Sequence, residues 1–169
     1  MARNMLASAL FAGVITGILA SVLQFAFVIP LILEGELYET GARIHFATNG
    51  SPQSDAGAPP LGTDWSRHLM TITFNVISYS AYALIMVAAM AFATLRGHAV
   101  RARQGLIWGI AGFIAVQLAP ALGLPPELPG AIASEVGPRQ LWWTVTILFS
   151  AAGLGLLGFG RGPAPALAG

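Results

Sequence analysis

Four long apolar stretches, separated by short polar segments, constrain this chain more than any other feature. They run from about Met5 to Leu33, Leu69 to Leu95, Gly105 to Leu122 and Leu141 to Phe159. A membrane crossing needs roughly 20 predominantly apolar residues. A soluble domain carries about a quarter of its residues charged, whereas this chain is 56% hydrophobic and only 9% charged. Water cannot solvate such a surface; a bilayer can. Inside lipid the backbone must satisfy its own polar groups, and a single apolar segment does so as a helix. The reading is therefore an all-α integral membrane protein. It is a bundle of four transmembrane helices in one membrane domain over residues 1–169, with spans at about 5–33, 69–95, 105–122 and 141–159. Outer loops fall at 34–68 and 123–140, and an inner loop at 96–104. The first apolar stretch is about twice the length of a signal-peptide core, roughly 7–15 residues, and no small-residue cleavage site closes it. It reads as a retained span.

Arginine placement orients the spans. Cytoplasmic loops carry an excess of positive residues. Arg3 precedes the first span, Arg96, Arg101 and Arg103 lie between spans two and three, and Arg161 follows the fourth. With an even number of crossings all five share one side, so both termini are expected in the cytoplasm. The other side receives Arg43, Arg67 and Arg139 together with Glu34, Glu36, Glu39, Asp55, Asp64, Glu127 and Glu135. Trp65, Trp142 and Trp143 fall near outer span ends and Trp108 near an inner one, the expected aromatic belt.

Several function classes drop out. The net charge of +1 offers no basic field for nucleic acid. Without cysteine there are no disulfides, thiolate metal sites or thiol nucleophiles. There is no phosphate-binding loop, dinucleotide turn or Ser–His–Asp arrangement. A haem electron carrier would want histidines within its spans, and His45, His68 and His98 lie in loops or at span ends. No enzyme activity and no resident cofactor are expected.

The one-sided acidity is the informative feature. Carboxylates contribute little to topology, so insertion does not force them together. Either they make an outer mouth that gathers cations, or they belong to solvated loops. In the first outer loop, Glu36 and Glu39 share a face, three residues apart, if the first helix continues past the membrane surface. His45 and His68 add imidazoles, and carboxylate with imidazole suits a divalent transition metal, although the spacing matches no metal motif. The middle of that loop, 48–63, is rich in Gly, Pro, Ser and Ala and reads as flexible. In the second outer loop four prolines surround Glu127 and fix the backbone. That segment is expected at, or dipping into, the membrane interface, with Glu127 either a cation ligand or a partner of Arg139.

Within the spans, Gln24, Asn75 and Gln117 offer amide groups, either to a passing cation or to a neighbouring helix. Met86 and Met90, four apart on span two, suit packing better than a soft metal. Ala9, Gly13 and Gly17 repeat at four-residue spacing, Gly109 and Gly112 share a face, and Gly153 and Gly155 mark the fourth span. Small residues let helix backbones approach closely.

A resemblance attaches to several of these residues. The stretch Val28-Ile-Pro-Leu-Ile-Leu-Glu34-Gly-Glu36-Leu-Tyr38-Glu39 resembles the end of the first span in the CbtA family of cobalt transporter subunits. So do Gly105-Leu-Ile-Trp108-Gly-Ile-Ala-Gly112-Phe and Leu118-Ala-Pro120-Ala-Leu-Gly-Leu-Pro-Pro-Glu127-Leu-Pro-Gly130. Arg139-Gln140-Leu-Trp142-Trp143 and Arg67-His68…Thr73-Phe-Asn75 are similar too. The resemblance implies a bacterial inner-membrane subunit linked to cobalt uptake and cobalamin supply, beside a small His-containing companion. Family members continue with further span sequence after the fourth helix, whereas this sequence stops at Gly169, as a short member or one lacking a terminal portion.

On that reading Co²⁺ is the transported ion. Glu34, Glu36, Glu39 and Glu127 are its outer contacts, with His45 and His68 as imidazole ligands, Gln24, Asn75 and Gln117 along the path, and Arg139 neutralising Glu127. Four spans enclose little volume, so a homo-oligomer or a companion subunit is expected alongside the lipid bilayer. The alternative is a non-transporting accessory protein that assembles a partner subunit.

Overall fold

A computed structural model describes residues 2–44, 52–124, 127 and 134–160. Among them every regular element is helical. Four helices are long and apolar enough to cross a membrane: Arg3–Glu39, Trp65–Leu95, Ala102–Gly123 and Val136–Phe159. The chain is thus an all-helical, multi-pass membrane protein. Its Cα positions divide into two compact units. One carries the first span and the second as far as Val87; the other begins at Ala88 and carries spans three and four.

In the first unit, α1 (Ala2–Leu23) passes through a π-helical turn, Gln24–Val28, into α2 (Ile29–Glu39). Pro30 explains the turn. It has no amide to donate, and its ring crowds the carbonyl four residues back. The preceding turn widens, and the Ile29 amide reaches back five residues to the Gln24 carbonyl. At about 1.5 Å per residue the 37-residue helix is about 55 Å long, against a hydrocarbon core of about 30 Å. Its acidic end, Glu34 to Glu39, therefore extends beyond the apolar stretch, and the helix continues through both Glu36 and Glu39.

Helix α3 (Trp65–Leu95) begins on a side-chain cap. The Arg67 amide donates to Asp64 Oδ1 at 3.0 Å, satisfying one of the orphan donors of a first turn. The α1–α3 seam is built from small residues. Ala9, Gly13, Gly17 and Ser21, each four residues after the last, are all buried. A Cβ on Gly17 would lie 2.6 Å from Val76 Cα, and one on Gly13 would overlap the Ser80 backbone. The backbones touch there because nothing stands between them, and contact of this kind drives helix association where lipid removes the hydrophobic effect.

In the second unit α3 ends at Leu95 with Gly97 at φ +88. His98 N donates to Ala93 O and Gly97 N to Thr94 O, a glycine-terminated cap that closes the last turn. After a 3₁₀ turn (Ala102–Gln104), α4 (Gly105–Phe113) enters a second π turn, Ile114–Leu118, and continues as α5 (Ala119–Gly123). Here Pro120 plays the part of Pro30, and the Ala119 amide reaches the Ile114 carbonyl. Helix α6 (Val136–Phe159) follows. Trp142 lies across Gly123, where a Cβ would strike its ring, and its Nε1 donates to Pro120 O at 3.5 Å. The glycines at 109, 153 and 155 behave differently from those of α1: a Cβ there would meet nothing within 4 Å. Equal smallness in sequence does not reveal which faces are used.

Candidate functional site

Glu34, Glu36 and Glu127 are held individually, each by an arginine. Glu34 accepts from Arg43 Nη1 at 3.3 Å and from the Gly57 amide at 2.6 Å, so it also anchors a return of the following loop onto α2. Glu36 receives the Arg67 fork in two bonds, 3.1 Å to Oε2 and 2.5 Å to Oε1. Glu127 pairs with Arg139 Nη1 at 2.6 Å. Arg43, Arg67 and Arg139 are thereby engaged with carboxylates that sequence marks as cation contacts. The Glu36–Arg67 pair is bidentate, the stronger kind of guanidinium–carboxylate contact. Both its side chains are about two-fifths exposed, so water screens much of its energy. Glu39 is exposed.

His68 follows Arg67 on α3. Its ring packs edge-on against Phe25 at 5.4 Å and Trp65 at 6.0 Å between centroids. Its Nε2 lies 3.4 Å from the Gly62 carbonyl, while Nδ1 is buried without a hydrogen-bond partner. His45 lies outside the described residues, as do Pro125, Pro126, 128–133 and the Arg161 segment. Among the described residues no three His, Asp or Glu side chains converge on a point.

Deeper in the first unit the amides meet. Asn75 Nδ2 donates to Gln24 Oε1 at 2.6 Å and to Ser21 Oγ at 3.1 Å, and Ser21 Oγ donates to the Gly17 carbonyl at 2.8 Å. Both helix-to-helix bonds are possible because Gly17 brings α1 and α3 together one turn away. Gln117 does not join any such group. It is exposed, and lines a cavity of about 350 Å³ with Pro120, Arg139, Gln140, Trp142 and Trp143. Arg139 Nε, like His68 Nδ1, is buried and unpaired.

Sequence reasoning offers the Glu127–Arg139 pair and the Asn75 helix-to-helix bonds each as one of two readings, and these contacts are present. It misses Ser21, and it misses the pairing of Glu36 with Arg67 across 31 residues. The available signal for the latter was an arginine in the first turn of a span, whose five donors need acceptors and are best matched by a carboxylate.

Glu34, Glu36 and Glu127 each hold a guanidinium. Neither the curated proteins nor the solved structures provide a match. A family model does: residues 2–167 match CbtA, described as a probable cobalt transporter subunit. With nearly the whole chain covered, this multi-pass membrane protein belongs to the CbtA family of probable cobalt transporter subunits.

Proposed function

We propose that the chain is the membrane subunit of a divalent metal uptake system in the bacterial inner membrane, with cobalt as its cargo. The family match along nearly the full chain carries this reading. Glu36 and Glu127, supported by Glu34, Glu39, His45 and His68, are the outer cation contacts, and both termini lie in the cytoplasm. Gln24, Asn75 and Gln117 supply amide oxygens along the path. There is no resident cofactor. Energy comes from a partner or from the membrane potential, which draws a cation inward by about 2.3 kcal/mol per charge per 100 mV. The full assembly includes a second copy or a small His-containing companion.

The test is metal accumulation by cells carrying this chain with and without a candidate companion, compared across Co²⁺, Ni²⁺ and Zn²⁺. Glu127→Gln and the triple Gln substitution at Glu34, Glu36 and Glu39 should each cut Co²⁺ accumulation severalfold at unchanged protein level. One observation favours the rival reading of a non-transporting accessory subunit: Glu34, Glu36 and Glu127 sit in separate ion pairs, and no three described His, Asp or Glu side chains form a shared ligand cluster. Unchanged accumulation in all the Gln variants would establish that rival.

A further inference from the structure

The two units repeat one pattern. In each, a helix is broken by a π turn that starts six residues before a proline and ends two before it: Gln24–Val28 before Pro30, Ile114–Leu118 before Pro120. Each turn is closed by an amide reaching five residues back, to Gln24 O and to Ile114 O. The carbonyls of Phe25 and Ala115 lose the α donor to that longer bond, and the π donor because the next residue is proline. A glutamate then follows the proline by six residues (Glu36) or seven (Glu127).

The next helix opens with a matching motif. Arg67-His68-Leu69 stands early in α3 and Arg139-Gln140-Leu141 early in α6, with Thr71-Ile-Thr73 and Thr144-Val-Thr146 behind them. In both units that arginine closes on that glutamate. Proline alone widens a helical turn; it supplies neither the glutamate beyond nor the arginine that meets it. The buried side-chain nitrogens left without a hydrogen-bond partner among the described residues are His68 Nδ1 and Arg139 Nε. One belongs to each copy of the Arg-x-Leu motif.

We propose that the chain is a tandem repeat of one proline-broken helical hairpin, and that each copy carries its own arginine-latched cation contact, Glu36 under Arg67 and Glu127 under Arg139. This deepens the uptake reading and rests on it. A cation does not settle into a pool of free carboxylates. It displaces a guanidinium, and the displaced arginine is what resets the site once the cation has moved on. Arg67 and Arg139 are thus positioning residues that set the affinity of the mouth low enough for release. The copies differ in the residue after the arginine: His68 gives the first an imidazole, and Gln140 gives the second an amide.

Co²⁺ binding to the purified full-length chain in nanodiscs tests this. Arg67→Gln and Arg139→Gln should each tighten binding about threefold to fivefold, the competition expected of a partly exposed pair. Glu36→Gln and Glu127→Gln should each lose a site. Arg67→Lys and Arg139→Lys keep a competing charge without the fork and should fall between wild type and Gln; they stand in for any Gln variant that fails to fold. If wild type binds Co²⁺ and loses it in the Glu variants, yet the Arg variants are unchanged or weaker, the latch is wrong and the uptake reading stands. A response at one arginine alone overturns the equivalence of the two hairpins. Absence of Co²⁺ binding in every form overturns the uptake reading and the latch together.

Discussion

Gly17→Ala isolates the α1–α3 seam from everything else in the molecule. The added Cβ would lie 2.6 Å from Val76 Cα and 3.0 Å from the Asn75 carbonyl oxygen. Carbon atoms rest about 3.5–4.0 Å apart, so the helices must part by about 1 Å or the backbone must bend. Overpacking of this kind costs roughly 1–3 kcal/mol. Alanine returns about 1 kcal/mol in helix propensity, leaving a net loss of roughly 0–2 kcal/mol, against a gain of up to about 1 kcal/mol where the Cβ meets nothing. The same chemical change at Gly109 meets nothing within 4 Å, so that variant should be neutral or slightly stabilised. Unfolding free energies from denaturant titration in bicelles compare the two directly. A Gly17→Ala protein as stable as the Gly109→Ala protein would refute the claim that backbone contact holds α1 against α3.

Asn75→Leu removes two helix-to-helix hydrogen bonds; at about 0.6 kcal/mol each in membranes the same titration should show a loss near 1 kcal/mol. Asp64→Ala removes the cap on α3 and should cost about 1 kcal/mol, with faster amide exchange confined to the first turn at 65–68. A double-mutant cycle on Glu36 and Arg67 should give a coupling of about 0.5–1 kcal/mol, because the pair is bidentate but two-fifths exposed. That coupling should shrink as salt rises from 0.05 to about 0.5 M.

Helix number and approximate helix position were legible in the sequence because lipid imposes a single requirement, a long apolar stretch with its backbone satisfied inside. The widened turns were not, since Pro30 and Pro120 read only as interruptions, although their missing amides dictate where the turns fall. Glu127 and Arg139 were connectable because they lie only 12 positions apart and few other charged partners are near in sequence. Glu36 and Arg67 were not, because the long Gly- and Pro-rich loop between them fixes no register. The small residues of α1 and those of α4 and α6 look alike in sequence. Only the neighbouring backbone distinguishes Gly17, pressed on Val76, from Gly109, which faces open space.

An extra residue in a helical turn is a rotation. Successive residues of an α-helix are about 100° apart around its axis, so the π turn at 24–28 sets the azimuth of everything beyond it. The stripe Ala9–Gly13–Gly17–Ser21 faces α3 on one side of that turn, and the Glu36 carboxylate meets Arg67 on the other. Deleting any one residue from 24–28 would leave the seam intact while swinging Glu36 about a quarter-turn away from its arginine. The turn is therefore a phase-setter between packing and charge, and a one-residue deletion inside it is a different kind of mutation from a one-residue deletion in the loop that follows.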